Sequence, residues 1–196
     1  MSQKINIIEI VKGHIGTLRD SNSKKLNFAD TFTFFILPCV IAAFGIIVKF
    51  ELTKALISLL INFGAIFTAL LLSVLVLVYD QENKVHSENR DSDLYSLKIQ
   101  LLRELYYNIC FAIIASIVLV ILSFFDQCII EFSFKIPAIV YFGTLEHEIH
   151  PARNVVTPII IFIAGNISLT ILMIVKRLHV LLTTTLTDNP QGKKKD

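Results

Sequence analysis

The chain reads as an all-α integral membrane protein, a four-helix transmembrane bundle with amphipathic cytoplasmic helices, and two observations carry that reading. Hydrophobic residues make up 54% of the 196 and charged residues only 17%, where soluble domains hold about 25% charged; the mean hydropathy is +0.68. The missing charge is gathered into four long stretches, each near the roughly 20 apolar residues that a helix needs to cross a hydrocarbon core. A soluble helical domain hides one such helix, whereas four in a chain this short leave too little polar surface to cover them.

Residues 1–30 form a cytoplasmic N-terminal segment. Ile5, Ile8, Val11, Ile15 and Leu18 recur at spacings of three and four, which is one face of an amphipathic helix. Asp20, Ser21, Asn22 and Ser23 then break it. Two readings stay open: the helix lies flat on the inner leaflet, or it packs on a partner or sister subunit. Its polar face is only moderately basic, so lipid electrostatics alone anchor it weakly. A polar segment of about thirty residues precedes the first apolar run, unlike a secretory leader, so the first span is expected to stay in the mature protein.

Residues 31–79 hold transmembrane helices one and two, from Thr31 to Val48 with Pro38 inside, and from Ala55 to Tyr79. Residues 80–107 form a cytoplasmic loop and helix. Leu94, Leu97, Leu101, Leu102 and Leu105 make an apolar stripe there, and a stripe facing water needs a cover. The third span covers 108–125, entered through Tyr106 and Tyr107, which suit the headgroup level. A periplasmic loop follows at 126–156, where Phe132, Phe134 and Ile136 alternate with polar neighbours; that period of two suggests a short hairpin. The fourth span is 157–175, with Pro158 just inside its start, where proline costs no helical hydrogen bond. Residues 176–196 are a basic tail.

Orientation follows from Lys and Arg. The two ends and the middle segment carry 14 of them, and the two remaining connections carry 4: Lys49, Lys54, Lys135 and Arg153. The positive side faces the cytoplasm, so both termini and the middle segment are placed on the cytoplasmic side.

A search for chemistry gives little. Glu146, His147, Glu148 and His150 resemble a zinc-protease helix only loosely: the two histidines stand three apart, and Pro151 follows. A polar loop is the plainer reading. Cys39, Cys110 and Cys128 give no disulfide framework or metal spacing. No nucleophile elbow or phosphate loop is present. No catalytic residue, cofactor, metal or direct nucleic-acid contact is therefore assigned, and enzyme activity is not expected. Asn62, Gly64, Gly165 and Asn166 are small or amide residues inside spans, read as helix-packing positions. Ile8, Val11, Ile15, Leu94, Leu97, Leu101 and Leu105 are the candidate partner-contact residues. The functional classes left are a membrane sensor and scaffold, an oligomeric pore-forming effector, and a small channel or transporter subunit.

Three segments add a resemblance: His14-Ile15-Gly16-Thr17-Leu18-Arg19-Asp20, Asp30 ahead of Phe35-Ile36-Leu37-Pro38, and Glu104-Leu105-Tyr106-Tyr107-Asn108 before the third span. In this order the chain resembles the membrane subunit of the bacterial anti-phage system called Kiwa. The resemblance implies a four-span membrane sensor that assembles as a homo-oligomer, a tetramer in that family. It also implies work with a soluble, DNA-binding cytoplasmic effector subunit. It supplies no catalytic residue.

Overall fold

The computed structural model describes residues 7–18, 32–48, 50–87, 93–129, 134–140, 143–149 and 155–187. Helix α1 spans Ile7–Thr17. A π-helical turn, Phe32–Ile36, runs into α2, Leu37–Ile47. Helix α3 is Lys54–Ser87, α4 is Asp93–Ile129, and α5 is Thr157–Thr187. Strands β1, Phe134–Val140, and β2, Gly143–Ile149, pair antiparallel with Phe134 opposite Ile149 and Val140 opposite Gly143. The hairpin expected from the alternation around Phe134 is therefore present as backbone pairing. Pro137 sits opposite Glu146, and a two-stranded hairpin has a free edge where a missing N–H does no harm.

Among the described residues, three helices are long and apolar enough to cross a membrane: Lys54–His86, Tyr95–Cys128 and Thr157–Thr183. The apolar helix Phe32–Ile47 is shorter. The long ones outrun a bilayer. At 1.5 Å per residue, α4 is about 55 Å long, against a hydrocarbon core of about 30 Å. Helix α3 continues past Tyr79 to Ser87, and α5 past Val175 to Thr187, so the polar sequence beyond each apolar stretch is helical rather than a loop. Helix α3 starts on a side-chain cap, the Leu56 amide donating to Thr53 Oγ1 at 3.3 Å.

Burial follows a period of seven. On α3 the buried residues Ile57, Gly64, Leu71, Val78 and Val85 recur every seven. On α5, Ile160, Ile167, Ile174 and Leu181 do the same. On α4 the buried line is Lys98, Leu102, Leu105, Ile109, Ala112, Ser116, Leu119, Ser123 and Asp126, alternately four and three apart. Such a repeat keeps one seam of a helix against its neighbours along its whole length. Helix α4 is the most enclosed: 39% of its apolar window is buried, against 17% for α3.

Two placements differ from the expectations. The leucine stripe is split. Leu102 and Leu105 are core, Leu97 is 41% exposed and Leu101 half-buried. Residues one apart on a helix point about 100° apart, so the apparent stripe merged two adjacent lines. Asp126, expected as the first loop residue, lies in the last turn of α4 and is 1% exposed.

The chain divides into two compact units. One comprises Met1–Asp30, Ala69–Ile114 and Ser168–Asp196; the other comprises Thr31–Thr68 and Ala115–Ile167. The second unit is tied by its proline. An α-helical turn would give the N–H of residue 38 to the carbonyl of Phe34, and Pro38 has none. Asn166 Nδ2 donates to that carbonyl at 3.0 Å. Gly165, the neighbouring residue, faces Pro38, where an added Cβ would stand 3.6 Å from the Pro38 Cβ. Gly64 is a closer approach: a Cβ there would come within 2.6 Å of a Val120 methyl and 3.1 Å of the Ser116 carbonyl.

Candidate functional site

The first unit contains a polar clasp that holds α1 against α4 and α5. Helix α1 lies close to α4 because residue 13 is glycine; an added Cβ would overlap the Tyr107 ring. One residue on, His14 is buried at 2% exposure. Its Nδ1 meets Asn108 Oδ1 at 2.8 Å, and its ring lies flat on Phe111, centroids 3.9 Å apart and planes 2° from parallel. One turn later, Thr17 Oγ1 reaches the His14 carbonyl at 2.7 Å and Asn108 Oδ1 at 2.9 Å, so a single hydroxyl proton serves two acceptors. Asn108 is fully buried, and its Oδ1 is the acceptor where both α1 side chains converge.

Arg177 of α5 closes the end of α1. Its Nη2 donates to the Thr17 carbonyl at 2.9 Å, among the carbonyls left without helical donors at a helix C-terminus. A cation there also suits the negative end of the helix dipole. The same nitrogen pairs with Glu104 Oε2 at 3.1 Å, and Nη1 donates to the Glu104 carbonyl at 3.3 Å. Gln100 Nε2 donates to Glu104 Oε1 at 3.0 Å, one turn earlier on α4. The Leu18 amide donates to the Ile15 carbonyl at 3.2 Å, a tight final turn.

This setting fixes the ionisation of His14. Burial strips water from the imidazolium and pulls its pKa down from 6.5 to about 4; the Asn108 hydrogen bond opposes the shift and the Arg177 charge adds to it. The imidazole is thus neutral at physiological pH, with Nδ1–H donated to Asn108. Chemically it is a pin: the hydrogen bond to Asn108 and the flat face on Phe111 position a helix.

The residues singled out for partner contact fall into three groups. Ile8 is 53% exposed and Leu97 41% exposed. Val11, Ile15 and Leu101 are half-buried, and Leu105 is core at 1%. The side chain of Leu94 lies outside the described residues, as do Ile5, Arg19, Asp20, Asp30, His150 and the basic run Lys193 to Lys195. Of the residues read as packing positions, Gly64 lies close to Val120 and Ser116, Gly165 is in ordinary contact with Pro38, Asn166 donates to the Phe34 carbonyl, and Asn62 is exposed on α3.

The clasp joins two of the segments that carried the resemblance. His14 and Thr17 come from the first, and Glu104, Tyr107 and Asn108 from the stretch before the third span. In the sequence Arg177 is one positive charge among the 14 of the two ends and the middle segment. Phe111 and Gly13 carried no signal. His14 and Asn108 are 94 positions apart, a separation over which no local periodicity speaks. Compared with protein-family models, with curated proteins and with solved structures, the chain matches none.

Proposed function

We propose that this chain is a four-span inner-membrane sensor and scaffold whose cytoplasmic side holds a soluble effector. The observation that carries the proposal is the clasp. A short N-terminal helix is held by buried polar bonds from two long helices, while Ile7 and Ile8 at its other end are 45% and 53% exposed. Polar pinning leaves apolar side chains free for another surface, and Leu97 in the same unit is exposed as well. The distribution of Lys and Arg supports a cytoplasmic location for the two termini and the middle helix. The shorter helix Phe32–Ile47 is the first of the four spans in this reading. The resemblance adds a role in anti-phage defence, a DNA-binding effector and a tetramer.

Homo-oligomerisation has support of its own. On α3, Ser58, Asn62, Ala65 and Ala69 share an exposed face. Small residues let helices approach closely in lipid, and an amide there gains by hydrogen-bonding another helix. That face also favours the second reading, an oligomeric pore, in which induction causes ion conductance or dye leakage.

Tagged purification from detergent-solubilised membranes of the native host, with native mass of the assembly, separates the two. The scaffold reading expects a stoichiometric soluble protein on a multimeric core, lost in an Ile8→Asp, Leu97→Asp variant that still inserts. A multimer that carries no partner and leaks ions on induction would transfer the reading to a pore. Unchanged co-purification of the double variant would remove this surface from it.

A further inference from the structure

The second unit holds a polar line that the scaffold reading does not use. Ser116, Ser123 and Asp126 lie on the buried seam of α4 and are 0%, 0% and 1% exposed. Ser116 Oγ, Ser123 Oγ and Asp126 Oδ1 are each buried without a hydrogen-bond partner. Buried polar atoms in folded proteins are almost always satisfied, and each exception costs about 1–3 kcal/mol. Three on one helix face, the last an acid, form a pattern beyond ordinary packing. Ionisable groups enclosed in membrane helices mark functional sites.

The chemistry selects the ligand. A metal ion needs several oxygen ligands around it, six or more for calcium. One carboxyl and a hydroxyl one turn away fall short, and no group of three metal-binding side chains exists among the described residues. A proton needs only the carboxyl. An isolated buried carboxylate takes up a proton rather than stay charged in a poorly solvating interior. The other charged residues of this unit with described side chains are Glu51 and Lys54. Lys54, the first residue of α3, is exposed and makes no ion pair with Asp126. The α2 and α5 segments in this unit, Leu37–Ile47 and residues 157–167, contain no charged residue.

We propose that Asp126, with Ser123 one turn before it, is a proton-binding site enclosed in α4, whose occupancy holds the end of that helix in its packed form. Protonation turns the carboxylate into an acid O–H, a donor within one helical turn of the Ser123 hydroxyl, and no other bond forms or breaks. Loss of that proton leaves an unpaired charge inside packed helices, which is relieved by letting water in. The site therefore has a dry, protonated state and a wet, ionised one. It stands whether or not the chain serves defence.

The test uses the full chain in lipid. Infrared spectra at neutral pH are expected to show a carboxylic acid C=O band of one carboxyl per chain. The band shifts on isotopic labelling of aspartate, disappears as the pH is raised, and is lost in Asp126→Asn. Cys128, exposed two residues on, reports the packing. With Cys39 and Cys110 replaced by alanine, a polarity-sensitive dye on Cys128 should move to a wetter environment over the same alkaline range, and stay unchanged in Asp126→Asn. The wild-type titration needs no variant, so a poorly folding mutant does not blunt the test. Absence of the band at neutral pH, or its persistence in Asp126→Asn, would overturn the proposal. A titration displaced by sodium or potassium at constant ionic strength would replace the proton with a metal cation and overturn it likewise.

Discussion

Glycine 13 and glycine 16 sit on the same helix and make opposite predictions. Alanine in place of an interior helical glycine gains about 0.5–1 kcal/mol from backbone entropy. At Gly16 nothing lies within 4 Å of an added Cβ, so Gly16→Ala should collect the whole gain and strengthen α1. At Gly13 the same Cβ overlaps the Tyr107 ring at Cγ, Cδ1 and Cε1. Cγ is the root of the ring, which rotation about χ2 leaves in place. Overpacking costs about 1–3 kcal/mol, so the net effect of Gly13→Ala is a loss of up to about 2.5 kcal/mol from docking of α1, a shift of up to about 70-fold in the docked-to-undocked ratio. Spin labels at Lys12→Cys and Arg103→Cys, both exposed positions of the first unit, would read that ratio as a distance distribution, with the three native cysteines replaced by alanine. Gly16→Ala should sharpen the docked distance, and Gly13→Ala should broaden it toward longer values. Equal behaviour of the two variants would refute the close approach at Tyr107.

Three other outcomes follow from the same contacts. Asn108→Leu removes an acceptor shared by His14 and Thr17, and should weaken α1 docking by about 1–4 kcal/mol, since the buried His14 ring and the half-buried Thr17 hydroxyl each lose a partner while one unpartnered Nδ2 disappears; an unchanged spin-label distance would contradict it. Acid should undock α1. The His14 pKa is 6.5 in the free chain and about 4 when docked, so the undocked form takes the proton first. The stability that a neutral His14 contributes is complete above 6.5 and is lost as pH falls toward about 4, by at most about 3 kcal/mol at 1.36 kcal/mol per unit; a thermal melting series over this range should slope in the wild type and flatten in His14→Gln. Asn166→Leu should lower thermal stability by about 1–3 kcal/mol, because the Phe34 carbonyl loses its donor beside Pro38; restoration by Pro38→Ala in the same chain, which returns an N–H to that carbonyl, would identify the cause.

What was legible in this sequence was whatever repeats locally. Long apolar runs marked α3, α4 and α5 because the bilayer sets a length. The alternation around Phe134 marked β1 because strands have a period of two. Asn166 is a lone amide within an apolar run, and it donates to the Phe34 carbonyl. What depends on facing partners was not legible. Leu97 and Leu102 look alike in sequence, and only the seven-residue seam of α4 separates the exposed one from the core one. Arg177 read as one positive charge for orientation, yet it also closes the end of α1. Asp126 read as the start of a loop because a charge ordinarily ends a span, whereas α4 carries it inward and buries it.

The count of crossings is tested most directly by side-specific labelling of two single cysteines in intact cells, Gly16→Cys on α1 and Thr144→Cys in β2. Four spans put three crossings between these positions, so a membrane-impermeant thiol reagent should label Thr144→Cys and spare Gly16→Cys until the membrane is opened. If Phe32–Ile47 did not cross, only two crossings would separate them and both cysteines would react from the same side, which would contradict the four-span scaffold.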